Sequence, residues 1–572
     1  MTWKLGAKGK LIISFLLAFA WLTALSPLSA TDTYYSVYLL CGLAGMLCMW
    51  EQFRNPRECP QGHKKWLLGF SALFSLAVVL GNYELFEPLS VLENLLDWVL
   101  CLAGGVCVGY PIVLWMDTRI PRQTRISRRE HPGRVFWGMF LAVAAVDLAY
   151  LFFARYPGVL TTDSLTTLQQ LLGDEAYNNM MPFWHTMTVK VFVELGLLIF
   201  GDINAAVALF HCAQILFLAA CFGYAVKTMY EIGLPRWALM AVFLLFAVQP
   251  YNIAYSVTLW KDIPFAGAVL LFITALYRIL KSVGTKNYGP LILGAAGMSL
   301  WRTNGLLAFG VTFLVLALLL RKSQPRLLKV MLGVLVACWF LMYPFLTLLG
   351  IGQTHFVEVL SIPLQQIARV ITQGRTLTPE QTDLLGQILI LDRVAQVYDP
   401  LTVDPIKYEA FQYGNQEYFL NHLWEYGKLY LQLGLTYPAD YLKAWIDETK
   451  GYWNGGYFFW IYTQGIHENV YGLVASYGRN PVASLYAALF RYVEKLEILQ
   501  PFTSIGLQVW AIVSCTLVNA LKKRKELVLG IPLIVLAAGL WIGTPVYAEF
   551  RYAYPFFLAA PFLIAVTVWE KK

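Results

Sequence analysis

The chain has 572 residues, of which 58% are hydrophobic and only 14% charged, and its mean hydropathy is +0.56. A soluble domain carries about 25% charged residues, so this composition excludes an ordinary soluble enzyme and describes an integral membrane protein. The formal net charge of +8 does not point to nucleic acid. Lys and Arg fall in short loops between apolar runs, where they act as topology signals.

At the N-terminus, Lys4, Lys8 and Lys10 precede an apolar run over 11–30. Its SPLSA end resembles a signal cleavage site; the run is read as an uncleaved first span. A helix needs about 20 apolar residues to cross ~30 Å of hydrocarbon. Further spans are expected near 33–50, 66–82, 98–116 and 135–154, then 203–226, 237–250, 263–280, 288–302, 304–320 and 329–349. The last three lie near 505–521, 527–546 and 552–569, for about fourteen in all. Of the nine Cys, eight lie in apolar runs and Cys59 lies in a basic loop. No disulfide framework and no CxxC pattern is present.

Between the fifth and sixth spans lies a polar loop, 155–202, with Asp163 near its start. Its last stretch, Phe183 to Phe200, is apolar enough to cross the membrane or to lie along it. Charge decides between the two. If it does not cross, the later basic loops around Lys227, Arg278, Arg321 and Lys522 all face the cytoplasm, as do 51–65 and 117–134 and both termini, including Lys571 and Lys572. If it crosses, those later loops violate the positive-inside rule. Lys190 and Glu194, four residues apart, also suit an interfacial helix. The loop 155–202 and the region 351–504 then share the outer face.

This orientation leaves Lys261, Arg302 and Arg551 as the basic residues in the short outward loops of the second half. The helix before Arg302 is only ~21 Å long at 1.5 Å per residue, which predicts Arg302 below the outer surface, in a cavity or at phosphate depth. The region 351–504 reads as mostly helical, with a capping-like start at Thr378. Its segment 451–465 is very aromatic, suited to interface packing or to stacking sugars.

The outer-face candidates are Asp163, His185, Lys261, Asp262, Arg302, Glu549 and Arg551. Carboxylates and cations converging beside a membrane fit a lipid-linked phosphate substrate. Arg offers fork-like donors to phosphate oxygens, and a carboxylate takes a proton from an acceptor hydroxyl. Each residue also has a plain structural reading. Asp163 could cap a helix, and His185 could be a hydrogen-bonded structural residue. Lys261 and Asp262 could form an interfacial ion pair. Arg302 and Arg551 could snorkel. Asp147, inside the fifth span, could be a bundle-facing partner or part of a cavity.

The motifs YPGVLTTD (156–163), PFWHT (182–186), WRTNGLL (301–307) and EFRYAYPFF (549–557) resemble the GT-C superfamily, membrane glycosyltransferases that use polyprenyl-phosphate sugars. With SIPLQQIARV (361–370), the likeness narrows to a group of Gram-positive bacterial membrane proteins. It covers roughly 135–570 and implies a catalytic role for Asp163, a site role for His185, and lipid-phosphate contacts for Arg302 and Arg551. Two departures stand out. Only Asp163 occupies the place of the family's acidic pair, and His185 is followed by Thr186 rather than by Pro. Metal use therefore stays open; no motif fixes a divalent metal or another cofactor.

The expected protein is an all-α, multi-pass, GT-C-like transferase of a bacterial plasma membrane, with an extracytoplasmic helical region. Residues 1–134 form N-terminal, partly accessory spans, 135–350 the membrane core, 351–504 the outer region and 505–572 the last spans. Its partners would be a polyprenyl-phosphate sugar, a cell-envelope acceptor and membrane lipids. The competing readings are a transporter or flippase of lipid-linked glycans, which predicts paired broken helices in related halves, and a non-catalytic envelope scaffold.

Overall fold

In hydrocarbon every backbone N–H and C=O must find a partner within the protein, which favours helices. The computed structural model describes residues 7–31, 33–85, 91–120, 129–281, 285–352, 356–458, 460–475 and 480–569. Among them no strand forms, only isolated bridges. Lys4, Lys571, Lys572 and part of the loop 117–134 lie outside the described residues.

An N-terminal group comprises α1 (Ala7–Ala24), α2 (Tyr35–Arg54), α3 (Gln61–Gly81) and α4 (Val91–Arg119). It packs around its own apolar cluster, which includes Trp21, Tyr38 and Val79. The next helices are α5 (Pro132–Ala154), α6 (Thr162–Leu172), α7 (Phe183–Phe200), α8 (Ile203–Glu231), α9 (Arg236–Ala247) and α10 (Pro250–Ser256). They are followed by α11 (Asp262–Leu280), α12 (Tyr288–Leu300), α13 (Thr303–Leu320), α14 (Pro325–Met342) and the short α15 (Pro344–Leu348). Helix α11 is buried along its whole length, so the other helices of the core surround it. The region that follows carries α16 (Ser361–Thr372), α17 (Pro379–Gly386), α18 (Leu391–Val397), α19 (Gln416–Asn421), α20 (Leu423–Thr436) and α21 (Pro438–Thr449) around a separate cluster. Then come α22 (Pro481–Lys495), α23 (Ile505–Leu521), α24 (Ile531–Gly543) and α25 (Phe550–Val568).

Among the described residues, twelve helical stretches are long and apolar enough to cross a membrane, or up to fourteen if two bent pairs each count as one span. The bends are 43° between α9 and α10, where Pro250 starts the second piece, and 59° just before α23. That count includes α7 by its composition and leaves out the shorter α12. Contacts tell more than length does here.

Helices α5 and α8 run antiparallel. Arg129 and Glu130, just before α5, bond to Gly233, Leu234 and Tyr230 at the end of α8. At the other end, Pro157 O lies 3.0 Å from His211 Nδ1. The chain between α5 and α8 therefore leaves and re-enters at one end of the bundle. Helix α7 cannot cross alone within that segment, because α6, with 11 residues, is too short to cross back. Helix α12 does run from end to end. Tyr288 at its start lies under Arg326, Gly294 packs on the backbone of Phe272, and Trp301 follows its last turn.

A second group of basic residues gathers at the end opposite to α6 and α7. Arg278 pairs with Glu231, Lys281 with Glu526 at 2.5 Å, and Lys522 reaches Asp117 at 3.9 Å. Arg524 bonds to the carbonyls of Val566 and Thr567 at the end of α25. All seven candidate residues lie at the α6 end.

Candidate functional site

Local sequence puts Asp163 at the site without tying it to the helix. Thr161, not Asp163, is the N-cap of α6, in a capping box with Ser164. This replaces the capping role that the sequence also allowed for Asp163. Thr161 Oγ1 accepts from Trp260 Nε1 at 2.7 Å. The chain just before it is clamped on two sides: Val159 N bonds to Val257 O, Leu259 N to Val159 O, and His467 N to Leu160 O. Three distant segments, 158–163, 257–262 and 465–467, are thereby drawn together.

Arg551 is placed from the other side. The segment 544–549 before α25 is pinned by Tyr452, whose hydroxyl donates to Val546 O at 2.9 Å and accepts from Glu549 N at 3.0 Å. The Arg551 guanidinium lies 5.1 Å from the ring centres of both Trp260 and Tyr552. Its Nη1 donates to Asp163 Oδ2 at 2.6 Å, and its Nε lies 3.3 Å from Glu549 Oε1. Asp163 and Arg551 are 388 residues apart in the chain.

The remaining candidates extend this pair. Arg302 Nη1 lies 2.6 Å from Asp262 Oδ1, so the partner of Asp262 is Arg302 rather than Lys261. The Arg302 guanidinium also lies 4.5 Å from the Tyr552 ring. Lys261 Nζ donates to Met180 O at 3.2 Å and feels the charges of both Asp163 and Asp262. Charges thus alternate through the site: Arg302, Asp262, Lys261, Asp163, Arg551, Glu549. His185 is buried in the first turn of α7, edge-on to Phe210, and its Nε2 has no hydrogen-bond partner.

Electrostatics separate the two carboxyls that flank Arg551. Burial pushes Asp163 up, but Arg551 and then Lys261 outweigh it and hold the carboxyl below its ordinary value. For Glu549, burial wins over Arg551, with Asp262, Asp163 and Asp404 adding to it, and the carboxyl is pushed up to about 7. Burial also lowers Lys261, although Asp163 and Asp262 resist it.

Beside Asp163 and Arg551 opens a cavity of about 420 Å³. Thr161, Thr162, Thr463 and His467 give it further polar atoms, and Trp260, Trp460 and Tyr462 give it aromatic faces. Of the seven candidates only Asp163 and Arg551 line it. Lys261, Asp262, Arg302 and Glu549 stand behind them, and His185 is buried apart from the lining. A smaller cavity of about 270 Å³ lies between α5 and α22 and shares the Tyr462 wall.

Sequence reasoning flagged the aromatic segment that supplies Trp460 and Tyr462. It missed Trp260, whose neighbour Lys261 was singled out, and His467, which stands in no motif. It also missed Asp404, which is half-buried and pushed up by desolvation, with Lys407 opposing the shift, and is close enough to feel Arg551 and Asp163. Among the described residues no group of three His, Cys, Asp or Glu is arranged to hold a metal ion.

No curated protein and no solved structure matches the chain. One family profile does, over residues 174–572, which takes in every candidate except Asp163. On that match the chain belongs to DUF6020, a family of unknown function.

Proposed function

We propose that the protein is a membrane glycosyltransferase that moves a sugar from a polyprenyl-phosphate donor to a cell-envelope acceptor on the outer face of a bacterial plasma membrane. The observation that carries this reading is one cavity bordered by a carboxylate, an arginine 2.6 Å from it and three large aromatic faces. Aromatic faces suit the apolar side of a pyranose, and arginine suits a phosphate. The orientation rests on the basic end of the bundle, which the positive-inside rule assigns to the cytoplasm. Both termini would then be cytoplasmic.

In the reaction, an acceptor hydroxyl oxygen bonds to the anomeric carbon. The bond from that carbon to the phosphate oxygen breaks, and its electron pair leaves with the polyprenyl phosphate. The hydroxyl proton passes to Asp163. Arg551, supported by Lys261 and Arg302 behind it, stabilises the departing phosphate, so no separate acid is needed. The positive charge that develops on the sugar ring is met by the surrounding carboxylates.

The test uses the full chain in nanodiscs with a radiolabelled polyprenyl-phosphate hexose and an envelope fraction as acceptor. Wild type is expected to transfer label, and Asp163→Asn to lower the rate by about a hundredfold or more. Full transfer by a folded Asp163→Asn protein would remove Asp163 from the mechanism. Movement of the lipid-linked sugar across the bilayer without covalent transfer would replace the transferase by a transporter.

A further inference from the structure

Every cation at the site already faces a carboxylate. Arg302 is on Asp262, Arg551 is on Asp163 and Glu549, and Lys261 stands between Asp163 and Asp262. Arg551 is the arginine in the cavity wall and already holds Asp163, so an incoming anion that takes its guanidinium must displace that carboxylate. The Asp163–Arg551 pair is the one built for displacement, because it is the pair that borders the cavity. Asp163 is its open side: the carboxylate side chain is 36% exposed and that of Arg551 16%.

Both partners keep company when separated. Arg551 retains Glu549 and lies between the rings of Trp260 and Tyr552, so it stays in place without Asp163. Asp163 retains the positive field of Lys261. Leaving a buried charge uncompensated is what makes a broken buried pair expensive, and here neither charge is left so. The Nη1 that Asp163 occupies, together with Nη2, whose nearest partner is the Tyr552 hydroxyl at 3.5 Å, presents the edge that a phosphate takes bidentately.

We propose that Arg551 exchanges partners: a phosphate ester anion entering the cavity takes the guanidinium from Asp163, and its binding sets the Asp163 carboxylate free. The exchange rests on the substrate-site reading above and adds an order of events to it. While the cavity is empty, Arg551 and Lys261 hold Asp163 in a weakly basic, locked state. Donor phosphate unlocks it, so a proton acceptor exists only when a donor is present. The anion is recognised by its phosphate, which a membrane lipid or a soluble compound could carry.

The experiment measures binding of two radiolabelled probes, inorganic phosphate and a polyprenyl monophosphate, to the full chain in nanodiscs of zwitterionic lipid. Wild type, Asp163→Asn, Asp163→Ser and Arg551→Gln are compared after their melting curves have been checked. Exchange predicts that both Asp163 variants bind the phosphate probe about tenfold tighter than wild type, the worth of one charge-assisted hydrogen bond, although their transfer of sugar is slowed. Arg551→Gln is expected to lose binding. Tightening with the polyprenyl phosphate alone assigns the site to a lipid phosphate; tightening with both probes assigns it to the phosphate group itself. If folded Asp163→Asn and Asp163→Ser bind more weakly than wild type, Asp163 is a support for Arg551 and the exchange is wrong, while the anion site stands. If neither probe binds wild type or the Asp163 variants, the exchange and the anion site fall together.

Discussion

Arg551 lies between two aromatic rings and two carboxyls of different character, and the difference is set by depth. Asp163 has cavity on one side and cations on the other, whereas Glu549 is 3% exposed. Glu549 gives a pH test with a definite sign. Its carboxyl titrates at about 7 in the fold, against 4.5 for an unperturbed glutamate, so the fold prefers the protonated form. The stabilisation is complete below about pH 4.5 and lost as pH rises through 7, on the order of 3 kcal/mol for this single group. The melting temperature in detergent should therefore fall over that interval, and Glu549→Gln should flatten the fall. An unchanged slope in the variant would assign it to another group. At this scale the basic members of the site were legible, because Lys261, Arg302 and Arg551 interrupt the charge alternation that the other short loops keep. Their pairing was not. Asp163 meets Arg551 across 388 residues, and only the fold brings such positions together. His467 and Trp260 were illegible for the same reason.

Helices α12 and α13 meet at a corner that has almost no room. A Cβ added to Gly305 would run into the Met298 carbonyl and the Phe265 ring, whereas one added to Gly310 meets nothing nearer than Leu335 Cδ1 at 3.8 Å. Arg302 sits on this corner, between the end of α12 and the first turn of α13. Gly305→Ala is expected to destabilise the protein by about 2 kcal/mol through overpacking and to loosen Arg302 from Asp262; Gly310→Ala is expected to be near neutral. Equal melting temperatures for the two variants would refute this account of the corner. The short α12, 13 residues long, was readable from the mostly apolar run that stops at Trp301–Arg302. Helix α7 was harder, because hydropathy alone admits it as a span. Loop charge argued against a crossing in the sequence, and the antiparallel course of α5 and α8 gives a geometric reason that hydropathy cannot contain.

For the whole molecule, the two ends of the bundle carry the argument. Cysteines introduced at Glu175, before α7, and at Glu194, within it, should both react with a membrane-impermeant maleimide added from one side, and a cysteine at Lys322 only from the other. Protection of Glu194→Cys from both sides would mean that α7 is in lipid. The architecture of many apolar helices was evident from composition, since about 20 apolar residues recur along the chain. The course of 351–504 was not, because its short helices are set by a core of its own. The contacts of that region with the segment before α25 reach well beyond it. Tyr452 holds the segment before α25 by its hydroxyl, Gly451 N bonds to Tyr547 O at 3.1 Å, and Val403 N bonds to Pro545 O at 3.1 Å. Arg551 is thus aimed by a part of the chain that lies far from it in sequence. The 351–504 region is accordingly not a detachable module. It could not be exchanged for that of another protein, or trimmed to simplify purification, without misdirecting the arginine, and a chimaera would have to carry residues 401–404 and 451–452 together with 544–551 as one graft.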